Sequence, residues 1–105
     1  MIIPTSYEEL ATYVENDNCV FFFTAEWCGD CVFIKPVMPE IAEMYPDYKF
    51  IQVDRDEFID LCGEWAVFGI PSFVVTSKGK EVARLVNKER KTKEQVITFL
   101  NDAIK

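Results

Sequence analysis

The run Cys19-Val20-Phe21-Phe22-Phe23-Thr24 constrains this chain more than any other segment. It is continuously apolar up to Thr24 and rich in strand formers, without the polar alternation that a strand with one wet face would show, so it reads as a strand buried on both faces. Such a strand needs packed layers above and below it. The flanking segments supply them as an alternation of helices and strands, which places the chain in the α/β class. At 105 residues the chain is long enough for one core and too short for two, so residues 1–105 are expected to form a single domain.

The other elements follow from local signals. Met1 to Pro4 is at most a short edge strand. A helix starts at Thr5 or Ser6, because Ser6 with Glu9, and Thr5 with Glu8, have capping-box spacing, and it turns Leu10, Ala11 and Val14 to one face. A second helix runs from about Gly29 to Tyr45 with a kink near Pro36, since Pro36 and Pro39 each lack an N–H that a helix interior uses. Tyr48 to Asp54 reads as a strand, and Glu57 to about Trp65 as a short helix. Ser72 to Thr76 and Lys80 to Val86 form a hairpin across Ser77-Lys78-Gly79. The last helix is capped by Thr92 with Gln95 and packs through Val96, Phe99, Leu100, Ala103 and Ile104.

Charge and composition exclude several functions. With 18 acidic against 11 basic residues the formal charge is −7, so the far field repels phosphate backbones and anionic lipid, and neither nucleic acid nor a membrane is expected as a partner. No apolar run approaches the roughly 20 residues that span a bilayer, and the first residues lack the pattern of an export signal, so a cytoplasmic location is expected. The chain has no histidine. That removes Cys-His dyads, His-ligated metals and imidazole acid–base chemistry together.

Cys28 and Cys31, in Trp27-Cys28-Gly29-Asp30-Cys31, lie where the apolar strand gives way to a helix. One helical turn brings the two sulfurs near enough to bond. The first sits at a helix N-terminus, where unpaired N–H groups favour its thiolate. Cys28 would attack a substrate disulfide to give a mixed disulfide, and Cys31 would then attack the Cys28 sulfur and release the reduced substrate. The alternatives are a zinc half-site and a pair of inert thiols. A four-cysteine zinc site draws on two close pairs, whereas Cys19 and Cys62 stand apart in the sequence. Those two read as small buried hydrophobes.

The segment Ala25-Glu26-Trp27-Cys28-Gly29-Asp30-Cys31, Pro36 in the next helix, Asp54 at a strand end, Gly69-Ile70-Pro71 and Gly79 in the hairpin together resemble the thioredoxin family, in the same order along nearly the whole chain. Thioredoxin is itself the standard example of a C-x-x-C redox site. The resemblance implies a central mixed β-sheet of four to five strands flanked by about four α-helices. It also implies that Pro71 is cis and lies against the cysteine pair, and that the Ile70 backbone pairs with the substrate chain. Trp27, Gly29, Gly69 and Val86 would line a shallow apolar groove. The rival readings are Trp27 as plain core and Pro71 as an ordinary trans turn residue.

Several positions depart from the family pattern. Asp30 stands where proline is usual between the cysteines, and its carboxylate should oppose the Cys28 thiolate by about 1 kcal/mol. Phe22 replaces a buried aspartate and Phe50 replaces its lysine partner. The joint change suits the core, because exchanging a buried ion pair for apolar residues is often neutral or stabilising. It also removes a carboxylate that in the family assists proton transfer from the second cysteine, so slower exchange is expected. Asn87 stands where a groove glycine is usual, which puts recognition by the usual flavoprotein reductase in doubt.

The expected activity is reversible dithiol–disulfide exchange by a monomer without metal or organic cofactor. Its partners would be disulfide-containing proteins and an upstream reductase or low-molecular-weight thiol. A non-catalytic binding module that uses the groove alone, and a zinc-binding module, are the alternatives.

Overall fold

The computed structural model describes residues 1–104. Strand β1 (Asn18–Thr24) lies inside a four-stranded sheet of order β2-β1-β3-β4, with β2 at Lys49–Asp54, β3 at Ser72–Ser77 and β4 at Lys80–Leu85. It pairs in parallel with β2 and antiparallel with β3, and β3 pairs antiparallel with β4, so the sheet is mixed. Every side chain from Cys19 to Thr24 is buried. Successive residues alternate between two cores, with Phe21 and Phe23 in one beside Leu10, Phe58 and Val67, and Val20 and Phe22 in the other beside Met38, Ile41, Phe73, Val96 and Leu100. Two buried faces explain why the strand shows no polar alternation.

Helix α1 (Tyr7–Asn16) packs on the first core through Leu10, while Ala11 is exposed and Val14 half-buried. Its N-cap is Ser6, whose hydroxyl accepts from the Glu9 N–H at 3.1 Å, and the Glu9 carboxylate in turn accepts from the Thr5 N–H at 2.9 Å. The Thr5–Glu8 alternative does not form. The helix that follows the cysteines is broken into α2 (Gly29–Ile34), a 3₁₀ turn (Lys35–Val37) and α3 (Met38–Glu43). Pro36 removes an N–H from the ladder and tightens that turn, so these pieces act as one kinked unit, and the sheet is flanked by four helical units.

Helix α4 (Ile59–Glu64) begins two residues later than the Glu57 boundary read from the sequence. The Asp54 carboxylate accepts from the Asp56 and Glu57 N–H groups at 2.8 and 3.1 Å, which holds those residues in a turn. The β3–β4 connection is a two-residue turn with positive φ at Lys78 (48°) and Gly79 (89°), because Ser77 and Lys80 still pair. Helix α5 (Lys93–Ile104) starts with the reciprocal Thr92–Gln95 box, each N–H donating to the other side chain at 2.8 and 3.2 Å. Met1 to Pro4 contributes one isolated parallel bridge, Ile2 to Ile51.

Phe22 is fully buried and stacks on Phe73 with ring centroids 5.2 Å apart. Phe50, also buried, belongs to the same apolar cluster. An aspartate alone at position 22 would lose this packing and bury an unpaired charge. Phe22→Asp is expected to destabilise the fold by about 3–5 kcal/mol, measured as a drop in the urea unfolding midpoint at neutral pH. An unchanged midpoint would contradict the packing described here.

Candidate active site

Strand β1 ends at Thr24, and the chain crosses Ala25 to Trp27 before α2 begins, which delivers the cysteines to the end of the sheet. Cys28 is the N-cap of α2, in extended conformation (φ −89°, ψ 109°), and its sulfur accepts from the Cys31 N–H at 3.2 Å. The two Cα atoms are 5.2 Å apart and the sulfurs are bonded to each other. Cys31 is fully buried, whereas Cys28 is 8% exposed and lines an open depression of about 430 Å³. Cys28 is therefore the sulfur an incoming disulfide can meet, and Cys31 sits behind it.

The opposite wall comes from the loop before β3. The Ile70–Pro71 bond is cis, and the Ile70 carbonyl oxygen lies 3.9 Å from the Cys28 sulfur. The Ser72 hydroxyl lies 2.5 Å from the Gly69 carbonyl oxygen and 3.1 Å from that of Asn87, tying this loop to the chain leaving β4. Gly69 is packed so closely there that a Cβ would stand 2.5 Å from the Asn87 carbonyl carbon. Only glycine fits that approach of two backbones.

Of the residues singled out from the sequence, Trp27, Gly29, Asp30, Gly69 and Ile70 line the depression with Cys28. Pro71 is buried and is not in the lining. Val86 is not in the lining: it lies one residue past the end of β4 and is half-buried against the core. Trp27 is not core. It is 63% exposed, held by an indole N–H donated to Asp56 at 2.7 Å and by the Arg55 guanidinium 5.6 Å from its ring. Phe22 and Phe50 are not in the lining; both lie in the core that includes Ile34, Met38 and Ile41.

Asp30 also differs from the sequence reading of an unopposed carboxylate. Its Oδ1 accepts from Arg90 Nε at 2.9 Å. Arg90 lies sixty residues away, so no local pattern announces the pair. Arg55, Phe68 and Lys88 complete the lining and were likewise not singled out. Phe68, 77% exposed and directly before Gly69-Ile70-Pro71, is the one that adjacency to a motif could have flagged.

The remaining cysteines are of another kind. Burial pushes the Cys19 thiol up to about 11, helped by the nearby Asp17 charge, and burial raises Cys62 as well. Among the described residues no group of three or more Cys, Asp or Glu side chains gathers at metal-binding distance. A raised thiol pKa leaves less thiolate at any given pH, about one part in a thousand for Cys19 at pH 8. In reduced, folded protein at pH 8, iodoacetamide should modify Cys28 first and leave Cys19 and Cys62 unmodified until the chain is unfolded, as read by peptide mass spectrometry. Early labelling of Cys19 would contradict its placement.

A family model described as Thioredoxin matches residues 2–102. Thioredoxin H-type 1 of Nicotiana tabacum is 43% identical over 75 residues, covering 71% of this chain and 60% of that protein. Thioredoxin H2-1 of Oryza sativa subsp. japonica is 36% identical over 84 residues, covering 80% and 61%. The chain thus matches about three fifths of the length of these relatives. The crystal structure of a thioredoxin from Trypanosoma brucei brucei superposes with a TM-score of 0.86 at 28% identity, covering 99% of this chain and 90% of that one. Among the described residues no helix is long and apolar enough to cross a membrane.

Proposed function

As the chain belongs to the thioredoxin family, we propose that it is a thiol-disulfide oxidoreductase that reduces protein or small-thiol disulfides through Cys28 and Cys31. The observation that carries this reading is the asymmetry of the pair: one sulfur opens onto a depression and its bonding partner is sealed behind it. Cys28 as thiolate attacks one sulfur of a substrate disulfide, forming a mixed disulfide and expelling the other substrate sulfur as thiolate. Cys31 loses its proton and attacks the Cys28 sulfur, which closes the Cys28–Cys31 bond and expels the second substrate thiolate. Two electrons pass to the substrate, and an upstream dithiol or low-molecular-weight thiol must return them.

Binding is assigned to the walls of the depression. The Ile70 backbone, beside the sulfur, is available to an extended substrate segment, while Trp27 and Phe68 offer apolar surface on either side. The substrates are disulfide-bearing proteins. The reading places the reaction in a reducing, cytoplasmic compartment, where cysteines such as Cys19 and Cys62 stay free.

The resolving step lacks the carboxylate found in the family at position 22, so proton removal from Cys31 falls to water or another base, and this slows exchange. Phe22→Asp combined with Phe50→Lys, assayed below its own unfolding midpoint, should speed closure of the Cys28–Cys31 bond by about tenfold or more. Stopped-flow fluorescence would read this, and equal rates would remove position 22 as the cause.

The reading itself is tested by dithiothreitol-driven reduction of insulin. Cys28→Ser should abolish turnover, and Cys31→Ser should accumulate a mixed disulfide with insulin visible on a non-reducing gel. Wild-type protein without turnover and without a trapped complex would favour a binding module over a catalyst.

A further inference from the structure

The segment from Asn87 to Lys91 is built as a strap across one side of the site. Its first residue packs against Gly69 and accepts from Ser72, which fixes it to the cis-proline loop. Its last residue, Lys91, is 3% exposed, and its ammonium donates to the Asn87 carbonyl (3.1 Å), the Asn87 side-chain oxygen (2.6 Å) and the Glu89 carbonyl (2.6 Å). All three ammonium hydrogens are used within the strap, so its curvature is held from inside. Between these anchors Arg90 reaches out, stacks its guanidinium 4.3 Å from the Phe33 ring and donates to Asp30 at 2.9 Å. Phe33 and Asp30 both lie on α2, so Arg90 grips the cysteine helix at two points.

We propose that Arg90 is a positioning residue of the exchange site: held by the strap, it neutralises Asp30 between the two cysteines and so keeps the Cys28 thiolate available. The charges around Cys28 give this contact its weight. Asp30 follows on the helix that Cys28 caps, and Arg55 and Lys88 line the same depression as Cys28. Arg55 is matched by Asp56 at 3.5 Å, Glu26 lines a separate depression with Lys35, and Lys88 has no ion-pair partner among the described residues. With Asp30 paired, the balance among the charges that line the depression is cationic. Without Arg90, a free carboxylate stands two residues from the nucleophile and the balance is lost. The pairing leaves Asp30 ionised, and as an acid in the first turn it still favours the helix.

The inference rests on the proposed role of Cys28 as nucleophile, yet its test needs no substrate turnover. The rate of iodoacetamide alkylation of Cys28 in reduced protein would be followed from pH 5 to 10 at low ionic strength. Arg90→Gln should move the midpoint upward and lower the rate at pH 6 by about two- to fivefold, with the loss shrinking in 0.5 M salt. Arg90→Lys, which keeps the charge, should recover most of it, and Asp30→Asn with Arg90→Gln should return the profile towards wild type. A profile unmoved by Arg90→Gln, or the same loss in the Asp30→Asn background, would overturn the proposal. So would a lowered urea midpoint with an unmoved profile, which marks a structural contact only. A shifted profile with no insulin reduction would keep Arg90's role and sink the reductase reading, so the two fail separately.

Discussion

Strand β1 has sheet neighbours on both edges and packed layers on both faces, and every other feature of the molecule answers to that burial. Its backbone hydrogen bonds are taken by β2 on one side and β3 on the other, so no polar group of the strand is left to water. Its side chains seed two separate cores, one closed by α1 and α4 and the other by the kinked α2–α3 unit and α5. A strand so held can carry a reactive pair at its end without moving. The geometry of Cys28 against the Ile70 carbonyl depends on β1 and β3 being adjacent in register, because β3 begins one residue after Pro71.

The same burial explains the apolar residues at positions 22 and 50. A carboxylate in the middle of β1 is expensive unless it is paired, and the pair in turn costs two desolvations. Phe22 stacked on Phe73 replaces that arrangement with contact area alone. The gain is made in the core, and on the proposed reading the loss falls on proton transfer at Cys31. Stability and reactivity meet at one position here, and the residue present favours stability.

What could be read from the sequence was set by interactions short in sequence. The β1 run, the Ser6–Glu9 and Thr92–Gln95 caps, the Pro36 break and the Lys78-Gly79 turn depend on residues within four positions of one another, so composition and spacing were enough. The cysteine pair was legible for the same reason. The contacts that hold the walls of the site were not. Asp30–Arg90 spans sixty positions and Trp27–Asp56 spans 29, and which loop residue reaches which partner depends on the path of the backbone after the strands are in place. Val86, assigned to the groove by the family resemblance, is half-buried against the core one residue past the end of β4.

Net charge is the quantity that misleads most about this site. At −7 the chain repels polyanions from afar, and that argument holds over distances at which individual charges blur together. Near Cys28 the relevant length is the Debye length, about 10 Å at 0.1 M salt, and within it the census is local. Among the side chains that line the depression or pair with those that do, Arg55, Lys88 and Arg90 stand against Asp30 and Asp56, three cations to two acids, while the chain as a whole carries an acidic excess. A thiolate responds to that local excess more than to the total, since water and salt screen a distant carboxylate more than a neighbouring guanidinium. The acidic exterior and the cationic rim are therefore compatible, and the strap that brings Arg90 to Asp30 is the element that makes the rim cationic.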